Sequence, residues 1–200
     1  MTGLEITTAE RPREGSMPVL ETERLVLRAP RLGDAKTIAT LANDRRIAEN
    51  TARIPHPYKL ADAKTWLESV NRADGEQTYV ITLSGDVIGA CGFEARDDGA
   101  PEIGYWLGVA HWGKGYATEA ARALIDHAFG DLDFTALQAG ARVTNPASRR
   151  VLEKCGFQWT GVGLYRIRAI SSSAPIDRFR LERGIWASIK SWGAMRRALV

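Results

Sequence analysis

The sequence predicts a mixed α/β domain of the α+β class, with a mostly antiparallel twisted sheet of about seven strands and flanking helices. Two strand-like segments, residues 79–83 and 87–93, are joined by Ser84-Gly85-Asp86, which is the pattern of a β-hairpin. Further along the chain, strand patterns alternate with helix patterns. A strand at 102–107 leads through a long helix to a strand at 136–143, and this crossover makes the two strands candidates for parallel neighbours.

Composition and charge exclude several classes of protein. The chain has 200 residues, 44% of them hydrophobic, which suits one compact domain with a substantial core. The net charge of +3 is not clustered, so no direct nucleic-acid partner is expected. Cys91 and Cys155 form no C-x-x-C pair, so neither a zinc site nor a disulfide framework is indicated. No secretory signal is visible, and no run approaches the ~20 apolar residues of a membrane helix, so we expect a cytoplasmic protein.

The first half of the chain predicts a leader, a strand and two helices. Residues 1–17 are polar and charged and are expected to form a flexible leader. A first strand is predicted at 25–27. Asp34 and Asp62 are each placed to cap a helix. The apolar positions of these two helices are Ile38, Leu41 and Ala42, then Ala63, Trp66, Leu67 and Val70.

The second half predicts two helices around a strand, then a strand pair and a tail. An alanine-rich stripe after residue 116 predicts a long amphipathic helix. Asn145 is a good N-cap, Pro146 fits the first helical position and Gly156 fits the position past the helix end. The last predicted elements are strands at 162–170 and 176–181 and a docked helix in the tail, which carries Trp186, Ile189 and Trp192.

The turn before the long helix has the chemistry of a phosphate site. Gly113, Gly115 and Ala117 are small residues at alternate positions, so the backbone amides of 113–118 are open to a diphosphate at the positive end of the helix dipole. Lys114 adds charge. A plain strand-to-helix turn would favour glycine as well. A nucleotide-binding P-loop is not supported, because Gly115 stands where that motif needs a Ser or Thr for magnesium.

Several ordered motifs extend this pattern over most of the chain. The glycine turn reads Trp-Gly-Lys-Gly-Tyr-Ala-Thr-Glu-Ala at 112–120. An opening Glu-Thr-Glu-Arg-Leu-Val-Leu-Arg lies at 21–28, Glu-Ile-Gly-Tyr-Trp-Leu at 102–107, and Asn-Pro-Ala-Ser at 145–148. With these motifs the chain resembles the GCN5-related N-acetyltransferases (GNAT), most closely their RimJ/RimL-like branch of ribosomal-protein N-terminal acetyltransferases. Trp112 departs from the Gln or Arg of the broad superfamily pattern, but it is typical of that branch.

The resemblance implies a fold with a splayed central strand pair, in which acetyl-CoA lies. It places the pantetheine arm against the backbone of Leu107, Gly108 and Val109. It places the diphosphate on Gly113, Lys114, Gly115, Tyr116, Ala117 and Thr118. Neither a metal nor a covalent acyl-enzyme is expected. The chain would then comprise the leader 1–17, an acetyltransferase domain 18–183 and a C-terminal helical tail 184–200 that packs on or beside the domain.

The resemblance also implies roles for individual side chains. Glu102 is the first candidate for the base that accepts the proton of the amine, and Glu94 is the second. Glu102 could equally be a solvated carboxylate at a strand end. Ser148 matches the serine that stabilises the departing thiolate, and Asn145 matches a polar cofactor contact. Both could instead serve only the start of their helix. A backbone amide near Val109 is expected to stabilise the oxyanion.

The predicted function is transfer of an acetyl group from acetyl-CoA to a primary amine by direct attack, with a protein N-terminal α-amine as the first candidate acceptor. A small-molecule amine is the alternative acceptor. The alternative outside the enzymes is a module that binds acyl-CoA without catalysing a reaction. A homodimer is also compatible with the sequence.

Overall fold

The computed structural model describes residues 17–70, 76–96 and 100–198, and its centre is a single eight-stranded sheet. Apart from Met17, the predicted leader lies outside the described residues. The strand order is β1-β2-β3-β4-β5-β6-β8-β7. The strands are β1 (Leu20–Glu21), β2 (Leu25–Arg28), β3 (Gln77–Leu83), β4 (Asp86–Glu94), β5 (Glu102–Leu107), β6 (Ala136–Arg142), β7 (Gln158–Ile167) and β8 (Ser172–Glu182). The predicted α+β class and mostly antiparallel sheet are confirmed; the two-residue β1 brings the strands to eight.

Within the described residues, six α-helices accompany the sheet. They are α1 (Ala35–Ala42), α2 (Arg45–Ala48), α3 (Leu60–Ser69), α4 (Tyr116–Gly130), α5 (Pro146–Lys154) and α6 (Arg183–Ala198). Short 3-10 turns lie at Leu32–Asp34, Val109–His111 and Arg168–Ile170. Within the described ranges, none of the helices combines the length and the apolar character needed to cross a membrane.

The sheet separates two apolar layers. On β3, Tyr79 and Ile81 belong to the main core, whereas Val80 between them belongs to a second cluster. This alternation is the period of two expected for a strand covered on both faces. Helices α4, α5 and α6 contribute to the main core, and α1 and α3 contribute to the second cluster. Small residues of α4 such as Ala120 and Ala121 are fully buried, which lets the helix lie close to the sheet.

The central strands β5 and β6 part soon after they meet. They pair in parallel only at Glu102 with Gln138 and at Ile103 with Ala139. Beyond these two positions β6 stays paired with β8 as far as Arg142. The predicted parallel neighbours and the splayed central pair are therefore both present, and the gap between them opens toward the carboxyl end of β5.

Two predicted helix caps differ from the structure. Asp34 occupies the N-cap position of α1, but its side chain makes no capping hydrogen bond there; its carboxylate accepts hydrogen bonds from the Arg28 guanidinium at 2.8 and 2.9 Å and from the Arg31 amide at 2.8 Å. Burial opposes ionisation of Asp34, but these hydrogen bonds outweigh it and hold its pKa below the usual value. Asp62 lies one turn inside α3 and accepts a hydrogen bond from the amide of Lys59, the actual N-cap residue, at 2.9 Å.

The tail forms a helix that is anchored on α4. Trp186 is only 6% exposed and packs in the main core. Its indole N–H donates to Asp126 Oδ1 at 2.9 Å, and Lys190 Nζ lies 2.6 Å from the same oxygen. One carboxylate of α4 thus holds two successive turns of α6.

Candidate active site

A cleft of about 750 Å³ follows the gap between β5 and β6. Because β5 runs from Glu102 to Leu107 and the glycine turn follows it, the cleft extends along the strand for about 17 Å or more. We call its two ends the α4 arm and the β7 arm. The α4 arm is lined by Gly113, Gly115, Tyr116, Ala117, Thr118, Asn145 and Ser148. The β7 arm is lined by residues 46–47 and 50–54 and by Glu94, Glu102, Arg142, Tyr165 and Ile167.

The cleft brings most of the predicted site residues together. Both candidate bases, the serine, the asparagine, Leu107 and five of the six glycine-turn residues line it. Lys114, Gly108 and Val109 are not among the lining residues. Among the described residues, no group of three or more His, Cys, Asp or Glu side chains is arranged to hold a metal ion.

The glycine turn needs glycine for its backbone conformation. Gly113 and Gly115 have φ angles of +74° and +84°, in the left-handed region that other residues rarely adopt. The first hydrogen bond of α4 runs from the Glu119 amide to the Gly115 carbonyl at 3.1 Å. The amides of Tyr116, Ala117 and Thr118 therefore have no acceptor inside the helix and face outward at its positive end. This is the geometry that binds a phosphate group.

Arg24, between β1 and β2, clamps this turn. Its Nε donates to Glu119 Oε2 at 2.8 Å, and its Nη1 donates to the Lys114 carbonyl at 3.1 Å. The guanidinium also lies 4.7 Å from the centre of the Tyr116 ring. Thr22 Oγ1 donates to Glu119 Oε1 at 2.6 Å. The opening motif of the chain thus supports the turn from outside the cleft, a role that local sequence patterns do not reveal.

The main chain of β5 presents one edge to the gap. The Gly108 amide donates to the Ile88 carbonyl at 2.8 Å, and strand alternation then turns the main-chain groups of Leu107 away from β4 and toward the gap. The Leu107 carbonyl accepts the indole N–H of Trp112 at 2.8 Å. Val109 opens a 3-10 turn, so its amide has no acceptor within that turn.

Gly108 itself has a steric role. Its carbonyl accepts the His111 amide at 2.9 Å, so both of its main-chain groups have partners within the protein. A Cβ at this position would lie 2.7 Å from Cδ2 of Leu41 on α1. Of the three residues predicted to contact the pantetheine arm, Leu107 turns its main-chain groups toward the gap, and Val109 has an amide without an acceptor in its own 3-10 turn.

Ser148 and Asn145 lie together at the start of α5. Asn145 Oδ1 accepts the Ser148 amide at 3.1 Å, so the predicted cap is present and the side chain also faces the cleft. Ser148 Oγ lies 3.0 Å from the hydroxyl of Tyr105 on β5. Burial raises the pKa of Tyr105, so its hydroxyl stays protonated and can donate to the serine. Sequence analysis missed Tyr105, although strand alternation places it on the same face as Ile103 and Leu107.

Glu102 is not a solvated carboxylate at a strand end. Its side chain is 19% exposed, and its Oε2 accepts a hydrogen bond from Arg96 Nε at 2.7 Å. The Tyr165 hydroxyl lies 3.4 Å from the same oxygen and accepts a hydrogen bond from Arg96 Nη2 at 2.8 Å. A Cβ on Gly140 of β6 would lie 3.4 Å from Glu102 Oε1, so the carboxylate reaches across the gap.

Glu94 lies opposite Glu102 in the β4–β5 register. It forms an ion pair with Arg53. Burial raises the pKa of Glu94 above the usual value, against the opposing effect of Arg53 and Arg96, and the neighbouring Glu102 raises it further. The β7 arm thus contains two adjacent carboxylates, one held firmly by an arginine and one with a raised pKa, which is a suitable setting for proton transfer.

Comparisons with known proteins agree with this geometry. Residues 24–158 match the family model described as "Acetyltransferase (GNAT) domain". The "Uncharacterized N-acetyltransferase p20" of Bacillus licheniformis is 33% identical over 153 residues, which cover 73% of this chain and 85% of that protein. The "Ribosomal-protein-serine acetyltransferase" of Escherichia coli is 32% identical over 81 residues, covering 40% and 45% of the two chains.

A solved structure shows the same fold. The RimL ribosomal L7/L12 α-N-protein acetyltransferase, determined with coenzyme A, superposes with a TM-score of 0.74 at 18% identity and covers 82% of this chain and 98% of its own. By its family match, its relatives and its fold, the chain belongs to the GNAT family of acetyltransferases, with RimJ/RimL-like proteins among its relatives and structural neighbours.

Proposed function

We propose that this protein transfers the acetyl group of acetyl-CoA directly to the N-terminal α-amine of a protein. The proposal rests on the continuity of the cleft. One cleft is lined both by the start of α4, with its outward-facing amides, and by the neighbouring carboxylates Glu94 and Glu102 of the β7 arm. A ribosomal-protein-serine acetyltransferase among the relatives and the RimL protein among the structural neighbours support a protein acceptor.

The α4 arm fits the carrier. The amides of Tyr116, Ala117 and Thr118 would hold the diphosphate, and the β5 edge at Leu107 and Val109 would pair with the amides of the pantetheine arm. When bound, acetyl-CoA supplies a thioester whose carbonyl carbon an amine can attack. The Val109 amide would stabilise negative charge that develops on the carbonyl oxygen.

The β7 arm would prepare the amine. An α-amine has a pKa near ~8 and a lysine near ~10.4, so an α-amine needs less help to lose its proton at neutral pH. Glu102 would accept that proton directly or through one water. Arg96 and Tyr165 fix the position of the Glu102 carboxylate, which limits the directions from which an amine can approach.

The departing thiolate of coenzyme A would be stabilised by a hydroxyl group at the start of α5. Ser148 lies at the start of α5, where its hydroxyl can donate a hydrogen bond to the thiolate. The Tyr105 hydroxyl at 3.0 Å would donate to Ser148 Oγ and orient the serine proton toward the cleft. The buried tyrosine thereby acts as a positioning residue for the serine.

The acceptor class is tested with matched peptides. We expect thiol release from acetyl-CoA with short peptides that carry a free N-terminus and a lysine, and mass spectrometry to place the acetyl group on the α-amine. The same peptides with a blocked N-terminus should give no product. Faster turnover of small amines would contradict the proposed acceptor, and tight coenzyme A binding with no turnover on any amine would favour the binding module.

The phosphate site is tested by Gly115→Ala. The change adds a Cβ to a residue at φ +84°, so the turn must deform, and we expect the Kd for coenzyme A in calorimetry to rise about tenfold or more. Gly85→Ala is the matched control, because Gly85 has a φ of +92° in the distant β3–β4 hairpin. The control should lose stability but bind coenzyme A normally. Equal affinities in the two variants would refute the assigned site.

The base is tested by Glu102→Gln, with Glu94→Gln as the comparison. We expect kcat/KM for a peptide acceptor to fall by about 100-fold near pH 7 in the Glu102 variant. The deficit should shrink above about pH 8, where the α-amine is already neutral without a base. Binding of coenzyme A should be unchanged. A pH–rate profile that matches the unaltered protein would transfer the role to another group, and a larger loss in the Glu94 variant would identify Glu94.

The Tyr105–Ser148 pair is tested by a double-mutant cycle. Ser148→Ala should lower kcat by about tenfold or more, and Tyr105→Phe should lower it by a smaller factor, because the tyrosine acts only through the serine. In the Ser148→Ala background, Tyr105→Phe should have little further effect. Additive losses in the cycle would show that the two hydroxyls act independently.

A further inference from the structure

A second, smaller cavity adjoins the β7 arm. It has a volume of about 430 Å³ and is lined by Ala52, Arg53, Arg166, Arg168 and Ser171. Three of these five residues are arginines and none is acidic. Ala52 and Arg53 also line the main cleft, so the two cavities meet at the loop after α2.

The frame of this cavity is fixed by the main chain. The Arg168 amide donates to the Ala52 carbonyl at 3.0 Å, which ties the 3-10 turn after β7 to the loop after α2. Along β7, Tyr165 and Ile167 face the cleft, and strand alternation therefore turns the exposed Arg166 to the other side. The arginines thus surround the cavity at the outer rim of the β7 arm.

The charge in this cavity is only partly balanced. Arg53 is paired with Glu94. Among the residues that the structure describes, neither Arg166 nor Arg168 has a side-chain hydrogen bond or an ion pair with a carboxylate. Other described arginines do pair with an acid, as Arg180 does with Glu182. Two guanidinium groups that have no acidic partner among the described residues, and that lie beside a cavity, are well suited to a carboxylate, which they can bind in a bidentate manner.

The positively charged cavity adjoins the β7 arm, where the acceptor protein is proposed to bind. Glu102 and Arg53 both line the β7 arm, so an acceptor chain whose N-terminus lies at Glu102 and that leaves through this arm would pass Arg53 and the adjoining cavity. We infer that the cavity around Arg166 and Arg168 binds an acidic side chain of the acceptor protein, a few residues after the acetylated N-terminus. This inference rests on the proposed function and narrows it to acceptors with an Asp or Glu near the N-terminus.

The inference is tested with a peptide scan. The peptides share one first residue and carry a single Asp, Asn or Lys at each position from the second to the sixth. We expect the Asp peptide to have a kcat/KM about three- to tenfold above the Asn peptide at one or two positions, with the Lys peptide below both. Added salt should reduce the difference.

Substitutions in the cavity test whether its arginines cause the preference for Asp peptides. Replacement of both arginines, Arg166→Gln with Arg168→Gln, should abolish the preference for Asp and leave turnover of the Asn peptide within about twofold. Arg166→Glu should favour the Lys peptide instead. Arg180→Gln is the control for the loss of a single positive charge, because Arg180 is a partly exposed arginine on β8 that lines neither cavity, and it should keep the preference.

Binding of the same peptides separates this inference from the proposed function. Their affinity is measured by fluorescence anisotropy on protein saturated with coenzyme A. An Asp preference that disappears in the double variant supports the inference, even where no peptide is acetylated and the proposed function fails. Equal binding of the three peptides at every position, or an unchanged preference in the double variant, overturns the inference whatever the turnover.

Discussion

The separation of β5 from β6 is the constraint on which the rest of the site depends. Two parallel strands that began to pair would ordinarily continue, because unpaired main-chain groups inside a protein are costly. Here pairing stops after two positions, and β6 continues only with β8. One group on the exposed edge of β5 has a partner, because the Leu107 carbonyl accepts a hydrogen bond from the Trp112 indole N–H. The remaining donors face a cleft, and a ligand with amide groups can complete the sheet.

The elements at the two ends of β5 place polar groups along that gap. The glycine turn at the end of β5 changes the chain direction with two left-handed residues, so that α4 begins with its free amides directed at the gap. At the other end of β5, Glu102 and Glu94 sit side by side and are opposed by Arg96 and Arg53. The two carboxylates at one end of β5 and the glycine turn beyond its other end are thus aligned along a single strand.

Local signals predicted most of the fold. The hairpin around Gly85, the crossover through α4 and the Asn145 cap depend on residues close in sequence, and the structure contains all three. Asp34 lies at the N-cap of α1 as predicted, but its carboxylate binds Arg28 instead of the helix amides. Asp62 does not cap α3, because that helix begins about one turn earlier. The class of protein followed from the order of motifs rather than from any one of them.

The site was predicted less completely, because its important contacts join distant residues. Ser148 and Tyr105 are 43 residues apart, and Glu119 and Arg24 are 95 residues apart. No periodicity or capping rule connects such pairs. Gly108 shows the opposite problem: the resemblance implied a main-chain contact to the cofactor there, but both main-chain groups of Gly108 have partners within the protein and the residue packs closely against Leu41.

The clamp on Glu119 has a consequence for behaviour in mild acid. Burial alone would make this carboxylate easier to protonate, but hydrogen bonds from Thr22 and Arg24 outweigh it, and the pKa of Glu119 is lowered. A group of this kind stabilises the folded state above its unfolded pKa and ceases to do so only as the pH falls through the lower, folded value. The junction of the β1–β2 ribbon with α4 should therefore persist at acidities that already neutralise ordinary glutamates. Sensitivity of the enzyme to weak acid would then originate in the β7 arm, where Glu94 takes up protons early.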